Sequence, residues 1–419
     1  MSDQKTNFDI STELIHRGER RALLEGQPTS TPIYAAATYT YESMDQMDKV
    51  FGGELPGYVY TRHGNPTVAV LEEIMQAIEG GAIARAYASG MAALHAALFA
   101  CELSPGSAVL ASQDLYGATT NLLLNIFGAF GIKSVFADFS DLESVRARAA
   151  ELKPRVLIAE TISNPLLKVC DIDACAEIAH TAGARLIIDN TFASPYLCQP
   201  LKHGADIVVH SATKFLGGHA DAMGGITVSR DEFDATALTG VMKLVGGVLS
   251  PWEAHEILRG MKTLGVRMDR HGENAKALAA HLQNDARLAR VYFPGLAATA
   301  ESTIATRILR AENYGALISI ELKDGSRAAA FRFMDALRLV VRSTSLGDVF
   351  TSALHPATAS HRDLSPARRR ELGIRDGLIR ISVGIENVND LVADIDQALA
   401  ASELSVAVSE SGAIATGSR

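Results

Sequence analysis

Residues 185–214 read RLIIDNTFASPYLCQPLKHGADIVVHSATK. Two apolar runs stand in this stretch, at 186–188 and 207–209. Each gives way to polar residues at its C-terminal end: Asp189 and Asn190 after the first, His210 and Ser211 and then Thr213 and Lys214 after the second. Runs this short and apolar, bounded by turn residues, read as strands buried on both faces. Working outward, similar runs recur as AIARAYAS (82–89), SAVLAS (107–112), KSVFAD (133–138), RVLIAE (155–160) and GGITVSR (224–230). Helical patterns at 91–102, 117–130, 141–152 and 172–182 separate most of them. Strands alternating with helices at this spacing predict a largely parallel sheet covered on both faces, ending near residue 230.

Before this region the first 62 residues are rich in Thr, Tyr, Gly and Pro and show little periodicity, so they read as an extended arm. A helix starts at Pro66 and closes on the pair Gly80-Gly81. After the sheet a helical region covers 250–290. Two strand patterns, GALISIEL (315–322) and GLIRISVG (377–384), then mix with helical ones at 328–337 and 388–401. The expected division is an arm at 1–62, a large α/β domain at 63–260, a smaller α+β domain at 261–405, and a polar tail at 406–419. A chain of 419 residues also exceeds what one core usually supports, ~250–300 residues.

Composition removes several classes of function. The chain has 39 basic and 48 acidic residues, a net charge of −9, so no basic face is expected for nucleic acid. Its longest apolar stretch, 83–100, is broken by Arg85 and His95, whereas a membrane span needs ~20 apolar residues. The start, MSDQKTNFDI, lacks the basic and apolar segments of a secretion signal. Cys101, Cys170, Cys175 and Cys198 form no CxxC, and they read as reduced thiols of a cytoplasmic protein. Neither GxGxxG nor GxxxxGK[ST] occurs. His255-Glu256 lacks a second histidine four residues on, where Arg259 stands. His210, His219, His355 and His361 have no ligand spacing, so no metal is expected.

The chemistry gathers at the strand ends, where open parallel sheets bind ligands. Ser89-Gly90-Met91 falls between a strand and a helix; small residues at a helix N-terminus suit a phosphate, or simply cap the helix. Asp189 could face a cationic ring nitrogen or cap its own turn. Lys214, flanked by Ser211 and Thr213, could form a Schiff base with an aldehyde or lie on the surface. Arg380, inside an apolar strand, needs an anion: a substrate carboxylate or a carboxylate of the protein. Taken together the four supply a phosphate cradle, a pyridinium partner, an aldehyde trap and a carboxylate clamp. Pyridoxal phosphate (PLP) acting on an amino acid requires this set.

The motifs YVYTRHGNPT (58–67), ASGMAA (88–93), DLYGAT (114–119), ETISNPLLKVCDI (160–172), GADIVVHSATKFLGGH (204–219), RGMKTLGVRMDRH (259–271), STSLGDVFTSALHPATASH (343–361) and GLIRISVGIE (377–386) run in order through nearly the whole chain. In this wording the chain resembles the PLP-dependent trans-sulfuration enzymes of cysteine and methionine metabolism. The resemblance implies the fold type I (aspartate-aminotransferase-like) PLP-dependent transferase architecture, with a mostly parallel sheet in the large domain and a smaller α+β domain after it. It implies roles for single residues as well. Lys214 would carry the cofactor and move protons, and Asp189 would face the ring nitrogen. Gly90, Met91, Ser89, Ser211 and Thr213 would hold the phosphate, Tyr116 would stack on the ring, and Asn164 would bond the ring oxygen. Arg380, with Ser345 near it, would clamp the substrate carboxylate. Tyr60 and Arg62 would reach the phosphate of a neighbouring subunit, giving a homodimer with shared sites that commonly pairs into a tetramer.

The wording is nearest to the γ-lyases of methionine and cystathionine. The expected reaction is γ-elimination from a sulfur amino acid, giving a thiol, 2-oxobutanoate and ammonia. Two alternatives stay open: γ-replacement on an O-acyl-homoserine, and a catalytically silent binding or regulatory protein. Ala118 stands where methionine γ-lyases carry a cysteine. Phe350 stands where an acidic residue is frequent; it would favour an uncharged substrate side chain, or pack against the arm.

Overall fold

The computed structural model describes residues 8–17, 28–296 and 300–403; the tail expected at 406–419 lies outside them. Seven strands form the first sheet: β1 (Ile83–Tyr87), β2 (Ala108–Ser112), β3 (Lys133–Ala137), β4 (Val156–Glu160), β5 (Arg185–Asp189), β6 (Ile207–Ser211) and β7 (Gly225–Ser229). Their order is β1-β7-β6-β5-β4-β2-β3. The five from β6 to β3 are parallel, and β7 runs antiparallel to both of its neighbours, β1 and β6. All seven strands correspond to apolar runs of the sequence.

Side-chain alternation in these strands divides the core into two faces. Leu110, Leu157, Leu186, Ile188 and Val208 pack with the helices Pro66–Glu79, Ile172–Thr181 and Pro251–Met261. Val109, Val156, Ile158, Ile187, Ile207 and Val209 pack on the other side, with the helices Gly90–Ala100 and Glu232–Val245. The local signals for these helices are plain. The Asn65 side chain accepts from the Thr67 N–H, Pro66 opens its helix, and Gly80 closes it at φ +75°. Ser89 accepts from the Ala92 N–H at the start of the next helix.

The second sheet has the order β10-β11-β12-β9-β8, from β8 (Leu288–Tyr292), β9 (Leu317–Leu322), β10 (Val341–Arg342), β11 (Ser352–Leu354) and β12 (Leu378–Ser382). Its pairs are antiparallel apart from β10 with β11. Its own core joins Ile318, Ile320, Ile379 and Ile381 to Leu278, Phe333, Ile395 and Leu399 of the covering helices.

Several local expectations need correction. The arm contains two helices, Ile10–His16 and Met44–Phe51. They are only seven and eight residues long and lie among Thr-, Gly- and Pro-rich segments, which hides the short apolar stripe of Met44, Met47, Val50 and Phe51. The stretch 250–290 holds two helices, Pro251–Met261 and Leu264–Leu282, with Thr263 extending neither. The helix expected over 117–130 changes to a wider π turn at Leu122–Phe127 and ends as a 3-10 turn. β8, β10 and β11 were not anticipated because they are short or polar. No helix among the described residues is long and apolar enough to cross a membrane.

One buried polar contact ties the sheet to a helix on one of its faces. His210, on β6, lies with Nε2 2.7 Å from Glu79 Oε1 at the end of the helix Pro66–Glu79, and both side chains are inaccessible. Removing one member leaves the other buried without its partner. The variant Glu79→Ala should therefore lose ~3 kcal/mol of unfolding free energy. A denaturant titration of the variant beside the parent measures this, and unchanged midpoints would contradict it.

Candidate active site

The site follows from strand register. Gly225, the first residue of β7, pairs with Tyr87 at the end of β1 and with Ser211 at the end of β6. The ends of two strands far apart in sequence thereby reach the same edge. A Cβ on Gly225 would sit 2.1 Å from the carbonyl oxygen of Ser89, so only glycine permits the approach. Gly90 fits as closely, since a Cβ there would lie 2.8 Å from Cβ of Ser211. Glu160 pairs with Asp189 across β4 and β5, and Asp189 with Val209 across β5 and β6. Period-two alternation sends Glu160, Asp189 and Ser211 to the sheet face that carries the helix Gly90–Ala100, whose N-terminus opens among them.

A cavity of about 470 Å³ lies at this edge. Of the residues singled out in the sequence, Ser89, Gly90, Met91, Tyr116, Asn164, Asp189, Ser211, Thr213, Lys214 and Arg380 line it. Ser89 takes the Ala92 N–H through its side chain and the Ala93 N–H through its carbonyl, which leaves the Gly90 and Met91 N–H groups for a ligand. The Asp189 Oδ1 atom accepts from the Thr191 N–H at 3.0 Å and from its hydroxyl at 2.5 Å. The Lys214 Nζ atom donates to Ser345 Oγ at 3.1 Å. Arg380 comes from the second sheet, where β12 holds it between β9 and β11. It donates to Asn164 Oδ1 at 2.9 Å and to the Ser345 carbonyl at 3.2 Å, while its Nε has no partner. Of the two readings open for Arg380, an ion pair inside the protein does not occur among the described residues.

Burial and neighbouring charge set the electrostatics. Burial lowers the Lys214 ammonium below its ordinary pKa, Arg380 adds to this, and Asp348 opposes it. Burial brings Arg380 down to about 10. Asp189 is raised by burial and held back by its Thr191 bonds and by His210. Glu160 is pushed well up, first by burial and then by the charge of Asp189.

Four singled-out residues lie apart from the lining. Ser345 contacts Lys214 and Arg380 from behind it, as described. Tyr60 and Arg62 sit on the arm, where Arg62 donates to the Lys243 carbonyl and lies 5.5 Å from the Tyr60 ring centre. Phe350 is half-buried beside Gly384 and does not line this chain's cavity. Sequence reasoning missed Glu160, which lines the cavity and accepts the Tyr116 N–H at 2.5 Å. It closes an apolar strand just as Asp189 does, and that parallel was the available signal. The four histidines considered as ligands stay separate: His210 is on Glu79, His219 on the Gly217 carbonyl, His355 on Thr358 and the Asp376 carbonyl, and His361 on Ser360. Among the described residues no group of three His, Cys, Asp or Glu could hold a metal ion.

Comparison with known proteins yields a family model for Cys/Met metabolism PLP-dependent enzymes that matches residues 11–400. An L-methionine gamma-lyase from Fusobacterium nucleatum subsp. polymorphum is 40% identical over 394 residues, 94% of this chain and 98% of that protein. An O-succinylhomoserine sulfhydrylase from Pseudomonas aeruginosa is 41% identical, over 94% of this chain and 95% of the other. Among solved structures, cystathionine gamma synthase from Xanthomonas oryzae pv. oryzae in complex with cystathionine superposes with a TM-score of 0.89 at 36% identity, covering 95% of this chain and 99% of that one.

Proposed function

The chain belongs to the Cys/Met metabolism PLP-dependent enzymes, and from that premise we propose that it eliminates the γ-substituent of a sulfur amino acid, methionine or a close relative, releasing a thiol, 2-oxobutanoate and ammonia. The observation that carries this reading is the cavity's composition. A desolvated lysine faces a buried arginine that lacks a carboxylate, while Leu94, Ile162, Phe192, Met223 and Leu346 supply apolar wall. Such a wall suits an uncharged thioether better than a second ammonium and carboxylate.

The residues fit the cofactor. The freed Gly90 and Met91 N–H groups at a helix N-terminus, with the Ser211 and Thr213 hydroxyls, suit its phosphate. Asp189, with Oδ2 outside the Thr191 bonds, suits a ring nitrogen, and Tyr116 a ring face. Asn164, whose amide N–H₂ is outside the bond to Arg380, suits a ring oxygen. When bound, PLP supplies an electron sink for the charge left at Cα after proton removal. Lys214 then serves as the base: with its ammonium destabilised by burial and Arg380, its neutral amine is available nearer working pH and can carry a proton from Cα. Arg380 would hold the substrate carboxylate through the donors it does not spend on Asn164 and Ser345. Glu160 fixes the main chain of Tyr116, and with it the position of the phenol.

The site would be completed by a second copy, whose Tyr60 and Arg62 would reach the phosphate. Arg62 bonds the carbonyl of Lys243, and the next two residues, Leu244 and Val245, are 88% and 62% exposed. Large apolar groups left open beside the arm suit burial in a dimer, which could pair again as a tetramer. The four unbridged cysteines accord with a cytoplasmic location.

Three outcomes test the proposal. Purified PLP-loaded protein given L-methionine, L-cystathionine or O-acetyl-L-homoserine, with and without a thiol, should release 2-oxobutanoate from methionine; release from the ester alone, diverted by thiol into a thioether, would establish γ-replacement instead. The variant Lys214→Ala should lose the visible band of lysine-bound cofactor and ~1000-fold in turnover, and a retained band would reject the lysine's role. The variant Arg62→Ala should bind PLP about tenfold more weakly, and unchanged affinity would count against shared sites.

A further inference from the structure

Asp348 is 1% exposed, and its carboxylate oxygens make no well-formed hydrogen bond, the Ala220 backbone N–H acting on them only at longer range. An ionised carboxylate buried in this way is costly unless opposite charge acts on it from near by. Its neighbours in sequence bracket the turn that carries Lys214. Gly347, at φ +82°, packs so closely that a Cβ would lie 2.7 Å from the Phe215 nitrogen and 3.1 Å from the Lys214 carbonyl carbon. The Val349 N–H donates to the Gly218 carbonyl at 3.0 Å. The same loop supplies Ser345, whose Oγ accepts from Lys214 Nζ.

The other side of the turn is held by Arg267, which is 3% exposed. It donates to the carbonyls of Phe215 and Gly260, both at 2.8 Å, and its guanidinium would overlap a Cβ on Gly218. Arg267 has no carboxylate among its hydrogen-bond acceptors. Arg380 on β12 and Asp348 on the 343–350 loop act on Lys214. Burial raises the Asp348 carboxyl; Lys214, the Ala220 N–H and His219 pull it back, and Asp221 adds to the rise. Arg267, on the helix Leu264–Leu282, feels Asp348.

We propose that Asp348 is a positioning residue for Lys214, its carboxylate supplying a buried negative charge that opposes Arg380 at the lysine nitrogen while Ser345 of the same loop directs that nitrogen. The proposal rests on the role given to Lys214 above. Arg380 and Asp348 act on the lysine with opposite sign. Arg380 favours the free base that abstracts a proton, and Asp348 favours the protonated form that must then return one. The loop thus provides both orientation and charge balance, and neither Ser345 nor Asp348 lines the substrate cavity.

The test is a pH titration of the visible band of the PLP-loaded protein. The variant Asp348→Asn keeps the volume and removes the charge, so the midpoint should fall by about one pH unit. The acid limb of kcat/KM should move with it, at little change in KM. The variant Asp348→Glu should restore the parental midpoint. A midpoint that stays in place while thermal stability falls would mean that Asp348 only balances Arg267, and the inference fails. Should Asp348→Asn not fold, Asp348→Ser is titrated in the same way with the same criteria. Lys214→Ala separates the two readings: a band surviving that change rejects the role of Lys214, whereas loss of the band there with an unmoved midpoint in Asp348→Asn rejects only the role of Asp348.

Discussion

Everything at the cavity depends on one steric condition, the absence of a side chain at Gly225. This residue pairs on one side with Tyr87 and on the other with Ser211, while the Ser89 carbonyl presses against its Cα. The contact places the start of the helix Gly90–Ala100 within reach of the polar ends of β4, β5 and β6. An antiparallel strand between β1 and β6 is what makes it possible. β1 then points the same way as the parallel strands, and its C-terminal turn opens at the same edge. Gly90 against Ser211 repeats the condition one step further in. The N-terminal end of a helix and Lys214 are thus brought together by backbone fit, before any charge is considered.

Charge then sorts the residues that meet there. Glu160 and Asp189 are neighbours across β4 and β5, and two carboxyls side by side favour a single negative charge between them. Asp189 receives two bonds from Thr191, whereas Glu160 is the more strongly raised. Glu160 also accepts the Tyr116 N–H, so it is burial and the charge of Asp189 that set it above its neighbour. Arg380 is a buried cation and Lys214 a partly buried one, and it is the lysine that can give up its proton.

Much of this was legible in the sequence, for an identifiable reason. Asp189, Ser211, Thr213 and Lys214 follow buried runs directly, so the strand pattern alone fixes which edge they occupy. Ser89 to Met91 sit on a strand-to-helix turn whose small residues announce it. Arg380 was visible as a charge in an apolar strand, although the choice between ligand and internal partner required the structure. Other features were hidden. Asp348 and Arg267 act through a turn that neither adjoins in sequence. The β9 and β12 patterns could be read, but the pairing that holds Arg380 between β9 and β11 could not, because β11 is only Ser352–Leu354 and pairing order is not written in the strand patterns. The helix Glu232–Val245 went unseen because only Leu238, Met242 and few other apolar residues of it reach the core.

Arg380 has a further consequence. Its Nε is buried with no acceptor, although the guanidinium is otherwise held by Asn164 and Ser345. The protein has already stripped water from this donor during folding, and that desolvation is part of the resting state. A ligand that brings a carboxylate up to the guanidinium would pair its charge, whereas a decarboxylated amine of the same shape would close the cavity over a cation with no counter-charge. Discrimination between the two would then follow from the wall itself: an amine is disfavoured for the buried charge it leaves unpaired, over and above the contact it fails to make.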